Sequence, residues 1–109
     1  MRYMVVMVVV AAMACLFYVN NPAGADEKGK SPEAEFKANC AVCHPDGGNI
    51  INPKKTLHKI DREANNVKTA ADIVSKMRTP GPGMTTFDKK TISDSEAKKI
   101  AEYILKTFK

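Results

Sequence analysis

The chain has no tryptophan, two histidines and three cysteines in its 109 residues. Past residue 25 its aromatic side chains are Phe36, Phe87, Tyr103 and Phe108 alone. So small a stock of large apolar groups allows only a modest core. Basic residues are not interleaved with aromatic clusters, which removes the usual footprint of a nucleic-acid binder. No stretch alternates in the manner of a half-buried strand, and no segment repeats. A single long apolar run is present, Met4 to Val19, and its 16 residues fall short of the roughly 20 that a membrane-crossing helix needs.

That run defines the first segment. Arg2 precedes it, Asn20-Asn21-Pro22 breaks it, and Ala23-Gly24-Ala25 supplies an A-x-A pattern before Asp26. This is the layout of a secretory signal peptide, residues 1–25, cleaved after Ala25 to leave one domain over 26–109. Two other readings stay open. The run could persist as an uncleaved anchor, or Ala12-Met13-Ala14-Cys15 could be a lipoprotein processing site that leaves Cys15 lipidated. Against lipidation, apolar residues continue from Leu16 to Val19. The 84 residues from Asp26 onward hold 16 of the 17 Lys/Arg and all 12 Asp/Glu, a formal charge of +4. The Lys pairs at 54–55, 89–90 and 98–99 read as solvated faces rather than binding patches.

Cys40-Ala41-Val42-Cys43-His44 is the C-x-x-C-H motif of covalent c-type haem attachment. Two thiols at this spacing reach the two vinyl groups on one edge of the macrocycle. The next side chain falls beneath the ring, where an imidazole takes the proximal position on iron. A bare C-x-x-C also suits a thioredoxin-like redox pair, half of a zinc site or a disulfide. The redox pair expects a βαβ setting that is not seen here, and zinc would have only Cys15 and His58 to complete its shell.

A second stretch bears on the same chemistry. In Pro80-Gly81-Pro82-Gly83-Met84, two Pro-Gly pairs prevent helix and give a stiff loop of little bulk. Such a loop can lie flat on a haem face and present Met84, whose thioether is a soft ligand for iron. Phe87 would cover the ring. Met84 as plain apolar filler is the bland alternative. Met77 is the competing ligand, although it shares a helical stripe with Ile73 and Val74.

Four helices are expected. Ser31 and Pro32 open the first, which runs to Asn39 and presents Phe36. Asn52-Pro53 opens the second, through Arg62, with Leu57 and Ile60 facing inward and His58 left at the surface as no ligand. Thr69 with Asp72 caps the third, and Thr79-Pro80 ends it. Ser93 with Glu96 caps the fourth, which reaches Phe108 and turns Ile100, Tyr103, Ile104 and Phe108 toward Phe36. Gly47 and Gly48 allow close backbone approach, and Ile50 and Ile51 are expected to line the pocket. The architecture is a small all-α bundle wrapped around a prosthetic group.

The haem motif, Gly47-Gly48-Asn49-Ile50-Ile51, Lys55-Thr56-Leu57, the loop through Met84-Thr85-Thr86-Phe87 and the helix from Ser93 to Ile104 occur in that order. Together they resemble the class I monohaem cytochromes c, and the c6-like members most. The resemblance covers essentially all of 26–109. It implies a small cytochrome c fold of about four helices around one haem c, attached through Cys40 and Cys43, with iron held by His44 and Met84. It further implies a one-electron carrier rather than an enzyme, matured outside the cytoplasm, in the periplasm. Its partners would be redox proteins met by transient docking, with neither nucleic acid nor small-molecule substrate, and the protein a monomer. His44 would then donate its free ring N–H to a carbonyl of the following loop, and Lys55 could pair with a propionate. Two departures stand out: Pro32 replaces a Gly that many members carry, and Gly83-Met84-Thr85 replaces an Ala or Met-Pro neighbourhood. Should Met84 leave the iron open, a peroxidase-like enzyme or a ligand sensor is the alternative, although 84 residues leave no room for a sensor's output domain.

Overall fold

The computed structural model describes residues 30–109. The leader, its cleavage after Ala25 and the fate of Cys15 lie outside that range. Among the described residues there are four α-helices, one short 3₁₀ turn and no strand. No helix among them is long and apolar enough to cross a membrane.

Helix α1 (Pro32–Asn39) begins where the sequence places it. Ser31 is extended, its Oγ accepts from Ala34 N–H at 3.2 Å, and Pro32 needs no partner for a missing N–H. Its single buried residue is Phe36. Helix α4 (Asp94–Thr107) starts on a reciprocal capping box between Ser93 and Glu96 and buries Ala97, Ile100, Ala101 and Ile104. These four recur at helical spacing, so they form one apolar stripe. The two helices meet through aromatic rings: Phe36 lies 5.5 Å from Tyr103 and 5.3 Å from Phe108, centroid to centroid. Helix α3 (Ala70–Arg78) starts on a second capping box, Thr69 with Asp72, and packs Ile73 and Met77 onto the α4 stripe and Ile92.

Helix α2 (Lys59–Ala64) is shorter than expected. The sequence reading starts it at Pro53, but Asn52 closes a turn there instead. Its Oδ1 accepts from Lys54 N–H at 3.0 Å and its carbonyl from Lys55 N–H at 2.9 Å. Thr56 then sets the later start, accepting from His58 N–H at 3.3 Å and donating to the Asp61 carboxylate. The later start rotates the helix. Ile60 is 78% exposed rather than inward, and Arg62 is the residue turned in, at 5% exposure. Leu57 does pack on the core. His58 is half-buried, with its ring edge-on to Phe108 at 5.8 Å.

Candidate functional site

The helices surround a cleft of about 580 Å³, within the range of small-molecule and cofactor sites. Cys40, Cys43, His44 and Met84 all line it. Ile73, Ile92, Ile104 and Phe87 also contribute to its lining. Ile51 contributes to its wall, whereas Ile50 lies outside it and is 63% exposed. The expectation for Ile50 therefore fails. Asn49 explains the split, because its Oδ1 accepts from both Ile51 and Asn52 N–H and holds a tight turn there. His58 does not line the cleft; Lys55 does.

The cysteine segment grows out of the end of α1. Cys40 is the helix C-cap and donates its N–H to Phe36 O at 2.8 Å. The chain then coils tightly, with Cys43 and His44 N–H both directed to Cys40 O at 3.1 and 2.9 Å. This turn brings two thiols and an imidazole onto one side of a short segment. Both thiols are free. Burial, and then the negative charge of Glu35, push the Cys40 thiol up to about 11. Among the described residues no group of three or more His, Cys, Asp or Glu could hold a metal.

His44 is oriented by the loop that follows it. Its Nδ1 lies 2.7 Å from Gly48 O. A carbonyl only accepts, so Nδ1 is the donor here, the tautomer whose neutral ring has its lone pair on Nε2. The loop itself turns through Asp46 and Gly47, both at positive φ (53° and 77°). Gly47 is required there twice over: its φ of 77° lies in the left-handed region, and a Cβ on it would sit 2.5 Å from Phe108 Cδ1. Its carbonyl accepts Leu57 N–H at 2.7 Å. Arg62 braces the same region, donating from Nε to Leu57 O at 2.7 Å and from Nη2 to Phe108 O at 3.2 Å. Sequence reasoning missed Arg62, since arginine is rarely buried and no pattern flags one that will be.

The loop between α3 and the turn before α4 also lines the cleft, through residues 81–85. Gly83 is at φ 87°, and a Cβ there would stand 3.3 Å from Ile51 Cγ2, so the two loops touch at the cleft mouth. Met84 follows and is 37% exposed. Met77 also lines the cleft but is buried in the core at 4% exposure. The cleft lining thus includes two thiols, an imidazole and a thioether together with apolar side chains. That donor set fits an iron porphyrin: thiols for its vinyl groups, and nitrogen and soft sulfur donors for its metal.

Comparison with known proteins agrees with this geometry. Residues 27–104 match the sequence family described as cytochrome C oxidase, cbb3-type, subunit III. Cytochrome c6 of Cyanidium caldarium is 34% identical over 100 residues, covering 92% of this chain and 90% of that protein. Among solved structures, OmcF, outer membrane cytochrome F of Geobacter sulfurreducens, is 42% identical, with a TM-score of 0.70 over 72% of this chain and 99% of that one. Cytochrome c6 of the diatom Phaeodactylum tricornutum is 35% identical, with a TM-score of 0.63 over 70% of this chain and 88% of the other. The chain therefore belongs to the c6-like class I c-type cytochromes, a family of electron carriers, not enzymes, that hold one haem c covalently.

Proposed function

We propose that this protein is an exported one-electron carrier with haem joined by thioethers to Cys40 and Cys43 and iron held between His44 Nε2 and Met84 Sδ. The observation that carries the reading is convergence: these four side chains line one apolar-walled cleft, and Gly48 O engages the other nitrogen of His44. Bound haem supplies a ferrous/ferric couple that cycles by one electron. The chain's own residues set its properties. Gly48 O fixes the His44 ring and raises the basicity of Nε2. Met84, compared with a second histidine, favours the ferrous state and raises the potential. Ile73, Ile92 and Ile104 keep the walls apolar, which disfavours the extra positive charge of the ferric form. Met84 is preferred to Met77 because it stands on a loop at the cleft wall, while Met77 is packed within α3.

Residues 1–25 are read as a cleaved leader and 26–109 as the working domain, placed in the periplasm. There the monomer would meet redox partners in brief encounters steered by its scattered lysines, with Lys55 at the cleft pairing with a propionate. Retention of the leader, or a lipid on Cys15, would instead hold the same domain at a membrane.

The oxidised optical spectrum tests the ligand set. Low-spin bands with the weak near-infrared absorption of methionine-ligated ferric haem are expected. Met84→Ala should abolish that absorption and give high-spin iron, while Met77→Leu should retain it. The reverse pattern would move the ligand to Met77. A high-spin spectrum in the unaltered protein would open the sixth position and point to a peroxidase-like or ligand-sensing role.

A further inference from the structure

The loop that presents Met84 leaves α3 after Arg78 and returns at Phe87, and its interior is loosely bonded. Among residues 79–86 the hydrogen bonding within the loop is one long contact, Met84 N–H to Gly81 O at 3.4 Å. Its neck is different. Phe87 N–H donates to Met77 O at 2.9 Å, and Arg78 Nη1 donates to Phe87 O at 3.0 Å. The same guanidinium reaches across with Nη2 to Asp94 Oδ1 at 2.9 Å, in the first turn of α4. Lys89 Nζ holds the other oxygen of Asp94 at 3.2 Å.

One side chain thus ties the end of α3, the end of the loop and the start of α4. The Arg78 side chain is only 19% exposed, so its bond to Phe87 O is partly shielded from water, whereas the arm to Asp94 lies at the surface and is open to screening by salt. Its Nε is buried with no hydrogen-bond partner, which leaves the two Nη donors to hold it. A planar fork is suited to this, since a lysine could not serve both acceptors with fixed geometry. Pro80 and Pro82 stiffen the loop's own backbone, but apart from that one long contact no hydrogen bond within the loop anchors it, so where the stiff loop stands is set from the neck.

We infer that Arg78 is the positioning residue for the sixth ligand: by pinning the loop neck to Phe87 and Asp94 it sets how readily Met84 is displaced from iron. This rests on the ligation of Met84 proposed above. A displaced Met84 requires the loop to swing away, and the neck bonds oppose that motion. Without them the open conformers gain population, and an external ligand that binds only those conformers gains apparent affinity by the same factor.

The test is an imidazole titration of the ferric holoprotein, followed by loss of the methionine near-infrared band. Arg78→Met is expected to bind imidazole at least tenfold more tightly than the unaltered protein, about 1.4 kcal/mol. Asp94→Asn, which weakens one arm, should fall between. Ile100→Val, in the core away from the cleft, should melt earlier yet bind imidazole as the unaltered protein does. If Arg78→Met assembles poorly, Arg78→Lys and Asp94→Asn carry the comparison, because each keeps part of the clamp. Unchanged imidazole affinity in these variants, or an equal gain in Ile100→Val, overturns the inference while leaving the ligation reading intact. Absence of the methionine band in the unaltered protein overturns both.

Discussion

At the scale of single residues, the proximal side is built around a glycine that cannot be replaced. Gly47 combines φ 77° with a Phe108 ring that would lie 2.5 Å from an added Cβ. Gly81 has nothing within 4 Å of the same virtual atom. Gly47→Ala should therefore lower stability by about 2–4 kcal/mol, and Gly81→Ala should stay within about 0.5 kcal/mol of the unaltered protein. Denaturant unfolding of the two holoproteins checks this; equal midpoints would contradict it. Arg62 works in the same region, its hydrogen bonds going to the Leu57 and Phe108 carbonyls. Arg62→Met leaves both carbonyls short of a donor and should cost about 2–3 kcal/mol, read from the same unfolding curves.

Individual elements are governed by their ends. α3 and α4 each begin on a reciprocal capping box, and Ser93→Ala should cost about 1 kcal/mol, a fall of roughly 4–8 °C in melting temperature for a domain of this size. The carboxylates at these termini also make stability pH-dependent. Asp72 is held below its usual value first by the Lys68 and Thr69 backbone N–H groups, Asp88 first by Thr91 N–H, and Asp94 first by its bond to Arg78. A carboxylate with a lowered folded-state value stabilises the fold above its unfolded value, and that contribution is lost as pH falls through the folded one. Stability should thus hold above about pH 4 and decline below the unperturbed 3.8. Asp72→Ala should flatten that acid limb, and an acid limb unchanged by the substitution would contradict the assignment. The same cap residues made α3 and α4 legible in the sequence, because a Ser or Thr followed by an acid three positions later is a local signal, and α1 was legible from Ser31 followed by Pro32. α2 was not legible in the same way. Its start depends on Thr56, Asn52 and Asp61 acting together, and Pro53 gave a stronger but misleading cue. Arg62 and Arg78 escaped notice because their roles depend on carbonyls brought in from Phe108 and Phe87, contacts that only the tertiary fold creates.

Across the whole molecule, a small core and a large cleft lie side by side. Among the described residues the buried apolar set is short, with Phe36 and Phe108 its only aromatics, and many of the remaining apolar side chains face the cleft. A chain so divided depends on what fills the cleft, because a group bound only by the folded state adds its binding energy to stability. A Cys40→Ala, Cys43→Ala variant should lack a cooperative thermal transition or melt far below the intact protein; equal melting curves would contradict that dependence. The candidate site was legible to a large extent because covalent attachment constrains local sequence: Cys40, Cys43 and His44 must be neighbours. Met84, which does line the cleft, was singled out through the stiffness of its Pro-Gly loop rather than through spacing. The partner of His44 could be narrowed only to the loop that follows, since choosing Gly48 requires the backbone reversal at Asp46 and Gly47.

The most direct measurement is the intact mass of the purified mature protein, with fragmentation of the peptide that spans Cys40 to His44. The account predicts a polypeptide beginning at Asp26 and heavier than its amino acids by one haem, the added mass remaining on that peptide after denaturation. A mature chain weighing only what its residues weigh, or a haem that dissociates on denaturation, would contradict it.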